Sequence, residues 1–259
     1  MYFSLHGATR LTTIALFSLT ASIWADDRSG RDVVVGLNNL RQIMLAMHNY
    51  HSDYGYLCSY AITNPKAPEK DRKPLLSWRV AILPYLEQDS LYKQFRLDEP
   101  WDSEHNQTLI TKMPKIYQMP GKPANVDGKT HYQVFVNHKD YKGKYIPIFK
   151  FDLKEKQTLG RISVVDGTSN TIAVAEAHTS VIWTKPEDMV IDSTIEDDTT
   201  PFKLMGVDSE WKVCLVGFVD GSVRSLKMNA VDAKQWKQLV RAMIGYRDGE
   251  VVDLNKIIK

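Results

Sequence analysis

The chain has few cysteines, almost no net charge and, after its first 25 residues, no long apolar run. Its two cysteines, Cys58 and Cys214, are too few for a disulfide framework. In an oxidising compartment they form either one bridge or two separate buried thiols. Lys and Arg number 33 against 31 Asp and Glu, a formal net charge of +2. No polyanion partner, and so no nucleic acid, is implied. No segment after the first 25 residues approaches the ~18 consecutive apolar residues of a membrane span. Also missing are the nucleophile elbow, the metal-binding His-Glu-x-x-His helix and the glycine-rich dinucleotide loop. The sequence therefore specifies no reaction, no catalytic residue, no metal site and no cofactor.

What stands at the start is an address. MYFSLHGATR carries one charged side chain, Arg10, and LTTIALFSLTASIWA is apolar and ends in small residues. This is the layout of a secretory signal peptide over residues 1–25, cleaved after Ala25, with Ile23 and Ala25 in the recognition positions. Its apolar run of about 15 residues is shorter than the roughly 20 of a spanning helix, so a membrane contact is expected only if the leader is uncleaved. No cysteine follows it to carry a lipid. The mature chain, 26–259, is expected to be exported, periplasmic or extracellular. It is long enough for one domain that buries about 70% of its unfolded surface.

The segment VVVGLNNLRQIMLAMHNYH organises the rest. Val33, Leu37, Leu40, Met44 and Met47 recur at helical spacing, with Gly36, Ile43 and Tyr50 on the same side. Asn38, Asn39, Arg41, Gln42 and Asn49 face the other way, as on a helix that lays one face on a sheet. Leu45 does not fit the stripe. The helix is placed at 33–54, with Ser29 or Asp32 as cap and Gly55 as stop. His48 and His51 have a metal-ligand spacing, but no Glu completes a zinc pattern. They are read as a surface and a core histidine.

A loop and helical insertion over 60–114 follows. YAITNPKAPEKDRKP reads as an exposed loop. LLSWRVAILPYLEQDSL reads as a helical region capped by Ser77 and interrupted by Pro84, burying Trp78, Ile82, Tyr85 and Leu86. Asp102 or Ser103 starts another helix, which Pro114 ends. Residues 115–228 turn β-rich and are expected to form an antiparallel sheet, with KIYQMP, HYQVFVN and KYIPIFKF as strands. His131 and His138 flank one of them, too far apart for a shared metal. Asp127-Gly128-Lys129-Thr130 lacks the rest of a phosphate loop and is read as a turn. RISVVDGTSNTIAVAEA reads as strand, loop and strand, and WKVCLVGFVDGSVRSL as a hairpin about Asp220-Gly221. The carboxylates Glu196, Asp197 and Asp198 read as a solvated loop without calcium spacing. A last helix is placed at 230–245, burying Val231, Trp236, Leu239, Val240 and Met243, with Gly245 as its stop.

NNLRQIMLAMHNYHSDYG, SWRVAILPYLEQDSLYKQF, PWDSEHN, VVDGTSNTIAVAEA, WTKPEDM and FVDGSVRSL occur in this order. Together they resemble the bacterial family catalogued as domain of unknown function 1559. That resemblance implies a pilin-like α+β fold, similar to type IV pilins and type II secretion pseudopilins, with a long N-terminal helix on an antiparallel sheet. The chain departs from the family pattern at two places. It lacks the prepilin-type Gly-Phe-Thr-Leu-Ile-Glu leader, and where many members have a histidine ten residues before the C-terminal Asp-Gly, Glu210 stands here.

The functional expectation is a non-enzymatic cell-envelope module that contacts another protein or a glycan. Trp78, Trp101, Trp183 and Trp211 are candidates for a binding platform or for the core. One rival is a secreted hydrolase drawing paired carboxylates from Asp166, Glu176, Asp188 and Asp220. The other is a pseudopilin that assembles by its helix.

Overall fold

The computed structural model describes residues 29–68, 71–121, 127–141, 146–150, 156–165, 167–191, 204–205, 213–227, 229–245, 253–254 and 257–258. The leader, Asp166, the acidic run at 196–198, Glu210 and Trp211 lie outside them.

Helix α1 spans Gly30–Tyr54. Ser29 caps it, its hydroxyl accepting the Asp32 N–H at 3.1 Å. Gly55 ends it in the left-handed conformation, φ 77°, with its N–H on the His51 carbonyl. The stripe read from the sequence is the buried one: Gly36, Leu40, Ile43, Met44 and Met47 all face inward. Leu45, off the stripe, is 61% exposed.

That stripe lies on a four-stranded antiparallel sheet in the order β3 (Lys129–Gln133), β6 (Ile172–Ile182), β8 (Val213–Phe218) and β9 (Val223–Lys227). Strand β8 is apolar at every position because both faces of the sheet are covered. Leu215 and Gly217 face α1, while Cys214, Val216 and Phe218 face a second cluster containing Trp236, Val240 and Met243. Those three belong to α5, Ala233–Ile244, capped by Asp232. The β8–β9 hairpin turns at Asp220-Gly221 as its sequence predicts, with Gly221 at φ 86°. The fold is α+β.

Gly36 matters to this contact. A Cβ there would stand 2.6 Å from Leu215 Cδ1, and 3.7 Å from both a Glu176 carboxylate oxygen and the Tyr132 hydroxyl. The missing side chain is what lets the helix sit down on β6 and β8.

Three sequence expectations need correction. RISVV forms helix α4, Leu159–Val165, instead of a strand. Thr158 Oγ1 accepts the Arg161 N–H and starts a turn that buries Ile162 and leaves Val164 85% exposed. KIYQMP forms a 3-10 turn, Lys115–Tyr117, between Pro114 and Pro120, not a strand. The 115–228 region is also not one antiparallel sheet. β4 (Phe135–Asn137) lies between β5 (Phe149–Lys150) and β7 (Met189–Ile191), parallel to both. Strands of two and three residues carry no periodicity that could fix a partner.

The insertion is tied in at its root. β1 (Ala61–Ile62) pairs with β2 (Leu76–Ser77), closing the proline-rich loop between them. Then come α2 (Trp78–Ala81), a 3-10 turn at Leu83–Leu86, α3 (Asp89–Tyr92) and a 3-10 segment at Asn106–Lys112. The helix expected from Asp102 or Ser103 is this last segment, held by an asparagine. Asn106 is fully buried; its carbonyl accepts the Arg96 N–H, and its amide donates to the carbonyls of Arg96, Glu99 and Pro100.

Candidate functional site

Two clusters hold the chemistry-bearing side chains, one inside the molecule and one on its surface. The inner one starts at Ser77, whose hydroxyl caps α2. The first turn of α2 points the side chain of Arg79 into the protein, where it is 0% exposed. Its Nη2 donates to Asp188 Oδ1 at 2.6 Å and to the Tyr132 carbonyl at 2.7 Å. Nε donates to the same carbonyl, and Nη1 to Ser77 Oγ at 2.7 Å. Asp188 Oδ1 also accepts from Trp78 Nε1 at 3.2 Å and from the Val134 N–H at 3.0 Å. The Asp188 side chain is 0% exposed too.

Burial pushes the Asp188 carboxyl above the usual carboxylate range, against the opposing pull of Arg79 and the two N–H donors. Around the pair, Tyr117 donates its hydroxyl to the Arg79 carbonyl at 2.8 Å and stacks on Trp183 at 5.9 Å. The Arg79 guanidinium lies 4.7 Å from the Trp78 ring centre. This network joins the insertion to β3 and to the segment before β7.

Of the four carboxylates that a hydrolase would draw on, Asp188 is therefore buried in an ion pair. Glu176 is buried under α1, where Oε2 accepts the Leu215 N–H at 2.9 Å. Asp220 is exposed and closes its own turn by accepting the Ser222 N–H. Asp166 lies outside the described residues. These three occupy the insertion root, the α1 interface and the hairpin tip.

Trp78 and Trp183 are core residues. Trp101 is half-buried with Lys185 Nζ 5.5 Å above its ring. His48 packs beside Gly221, its Nε2 3.3 Å from where a Cβ would be, and His51 Nε2 accepts the Leu159 N–H at 3.4 Å. Among the described residues no group of three or more His, Cys, Asp or Glu could hold a metal. Cys58 and Cys214 are both buried thiols, in the two separate apolar clusters, with no disulfide between them, and burial pushes the Cys58 thiol up to about 12.

The surface cluster is one the sequence reading did not single out. Tyr50 and Tyr54, four apart on the last turn of α1, have ring centres 4.4 Å apart. The left-handed Gly55 turns the chain back, so that Tyr56 lies 6.2 Å from Tyr50 and 6.1 Å from Tyr54. Tyr85, from the 3-10 turn after α2, meets Tyr50 edge-on at 6.0 Å and donates its hydroxyl to Asp53 Oδ2 at 2.8 Å. The segment before α4 completes the group. Lys156 Nζ stands 3.8 Å over the Tyr56 ring, and the Gln157 carbonyl accepts the Leu57 N–H at 2.8 Å.

Tyr54 is 55% exposed, whereas Tyr50, Tyr56 and Tyr85 are half-buried. Gln157 is only 4% exposed, and neither atom of its amide has a partner. Such a buried amide is costly unless something else satisfies it. Burial raises the Tyr50 and Tyr85 hydroxyls above the ordinary tyrosine range, Tyr85 also through Asp53, so both stay protonated donors. The spacing of Tyr50, Tyr54, Gly55 and Tyr56 was visible as sequence. Tyr85 and Lys156 were not placeable, because they arrive from distant segments.

No curated protein and no solved structure matches the chain. A family model described as protein of unknown function, DUF1559, matches residues 37–211, a span that takes in α1 from its third turn, the Arg79–Asp188 network and all the tyrosines of the surface cluster. The chain belongs to this DUF1559 family.

Proposed function

We propose that the protein is an exported, non-enzymatic module of the cell envelope, with a pilin-like fold, that acts by surface contact through the tyrosine cluster at the end of α1. The observation that carries this reading is the contrast between the two clusters. The ionisable groups of the inner network are committed to one another and shut off from solvent, while the tyrosines are fixed in place yet open to it. Tyrosine supplies a large rigid contact area with a polar tip and loses little side-chain entropy on binding, which suits a recognition face. The secretory layout of residues 1–25 supports the address, and no helix among the described residues is long and apolar enough to cross a membrane.

The test is sedimentation of the purified mature chain with washed cell envelopes from its native cells. Wild type is expected to pellet with them and Tyr54→Ala to stay in the supernatant. Equal pelleting of both would remove the tyrosine face from the account. The address is checked by intact mass of the native protein, expected to begin at Asp26. A mass that retains residues 1–25 in the membrane fraction would replace export of a free module by membrane-tethered display.

A further inference from the structure

We propose that Tyr50 and Tyr54 form a site of oxidative cross-linking, at which a peroxidase supplied with hydrogen peroxide joins the two phenols into a dityrosine that staples the last turn of α1. The inference goes beyond the contact function and does not depend on it. Residues four apart on a helix share a face, and here the ring centres are 4.4 Å apart with planes inclined by 36°. Carbon atoms of the two rings are therefore within contact distance. The left-handed Gly55, whose N–H bonds the His51 carbonyl, closes the turn that carries them. Tyr54 is 55% exposed, so an oxidant reaches it from solvent.

The surrounding groups select this pair. Tyr56 is 6.2 Å from Tyr50 and 6.1 Å from Tyr54, and the charge of Lys156, whose Nζ is 3.8 Å over the Tyr56 ring, opposes loss of an electron from it. Tyr85 meets Tyr50 only edge-on at 6.0 Å, with its hydroxyl held by Asp53. Tyr60, Tyr117 and Tyr132 are buried and closed to an external oxidant. In the coupling, Tyr50 and Tyr54 each give up one electron and the phenolic proton. The peroxide takes both electrons and both protons through the peroxidase and leaves as two waters. The two phenoxyl radicals pair in a bond between ring carbons ortho to the oxygens. The proton on each of those carbons then moves to the neighbouring oxygen and restores both phenols, so the protein loses two hydrogen atoms in all. The product is a covalent loop across residues 50–54, at a helix end that would otherwise fray.

The experiment is treatment of the dilute mature chain with a haem peroxidase and limiting hydrogen peroxide, with a free tyrosine-containing peptide in a parallel tube to show that the enzyme is active. Wild type is expected to stay monomeric, to gain the fluorescence of coupled phenols and to lose the mass of two hydrogen atoms. Fragmentation of the peptide that holds both residues is expected to show no backbone break between 50 and 54. Tyr54→Phe keeps the ring at an exposed position but has no phenol, and is expected to lose the fluorescence and the mass change while melting like wild type. Tyr141→Phe, in a side chain that packs against the cluster around Trp236, is expected to keep both. An unchanged wild-type mass while the peptide couples would overturn the proposal. So would a bond mapped to other tyrosines, covalent dimers as the main product, or an undiminished signal in Tyr54→Phe.

Discussion

Replacing Arg79 by Met keeps most of the apolar stem and removes the guanidinium. Asp188 would then stay in a site where its side chain is 0% exposed, with only Trp78 Nε1 and the Val134 N–H as donors. The Tyr132 carbonyl would lose the two donors that reach it at 2.9 and 2.7 Å. Breaking a buried pair in this one-sided way costs about 3–5 kcal/mol, most of it the uncompensated partner. Asp188→Leu should cost a similar amount for the opposite reason. In Arg79→Met/Asp188→Leu no buried charge remains, and the damage reduces to unsatisfied N–H and C=O groups at about 1–3 kcal/mol each. The double variant should therefore fall short of the summed single effects by at least about 2 kcal/mol. The assay is urea unfolding followed by tryptophan fluorescence, since Trp78 lies against the pair and Trp183 stacks on Tyr117 beside it, with equal slopes required before the free energies are compared. Single variants that lose less than about 1 kcal/mol, or a double that is additive, would refute the reasoning.

Asn106→Ala leaves the carbonyls of Arg96, Glu99 and Pro100 and the Arg96 N–H without their shared partner, and should lower unfolding free energy by about 2–3 kcal/mol in the same assay. His51 is held below its ordinary range by burial and then by His48. Its lowered folded value means that the unfolded chain takes up the proton first, so the stability it contributes is complete above about 6.5 and is lost as pH falls toward the folded value. A urea series from pH 8 to pH 5 should show that decline in wild type and a shallower one in His51→Gln. Native protein should resist alkylation at both Cys58 and Cys214, and in denaturant without reductant the intact mass should rise by two alkyl groups. No rise there would mean a disulfide.

How far the sequence could be read depended on the length of each signal. α1 offers about five turns of apolar periodicity between Val33 and Tyr50, and its misfit Leu45 is indeed outside the core. The Asp220-Gly221 hairpin rests on turn chemistry that only a glycine satisfies. α5 has a cap, a stripe and a stop, and is found at Ala233–Ile244. The failures come where local preference met a non-local decision. Ile162 to Val165 are β-branched or Ser, yet a single threonine cap and one buried isoleucine hold them helical. Arg79 sits in a helix of four residues, too short for periodicity to say which way it points, and its partner is 109 residues away. The tyrosine cluster was half legible. Its α1 members follow from i,i+4 spacing and a left-handed glycine, but nothing near Tyr85 or Lys156 announces that they will join it.

The inner network and the surface cluster are mechanically one device. A four-residue helix such as α2 has no independent stability, since nucleation costs more than so few hydrogen bonds return. Its orientation must come from outside, and Arg79 provides it by fixing the helix to Asp188 and to the Tyr132 carbonyl. From there the Ile82 N–H bonds the Trp78 carbonyl and the Tyr85 N–H bonds the Ile82 carbonyl, so the direction set at Arg79 is passed along the backbone to Tyr85. Tyr85 in turn holds Asp53 on the last turn of α1. The buried charge pair is expensive as a source of stability alone, and a well-packed apolar pair of the same volume could do as well. What an apolar pair lacks is direction, and a fixed direction at Arg79 is what sets Tyr85 edge-on to Tyr50 at the rim of an exposed platform.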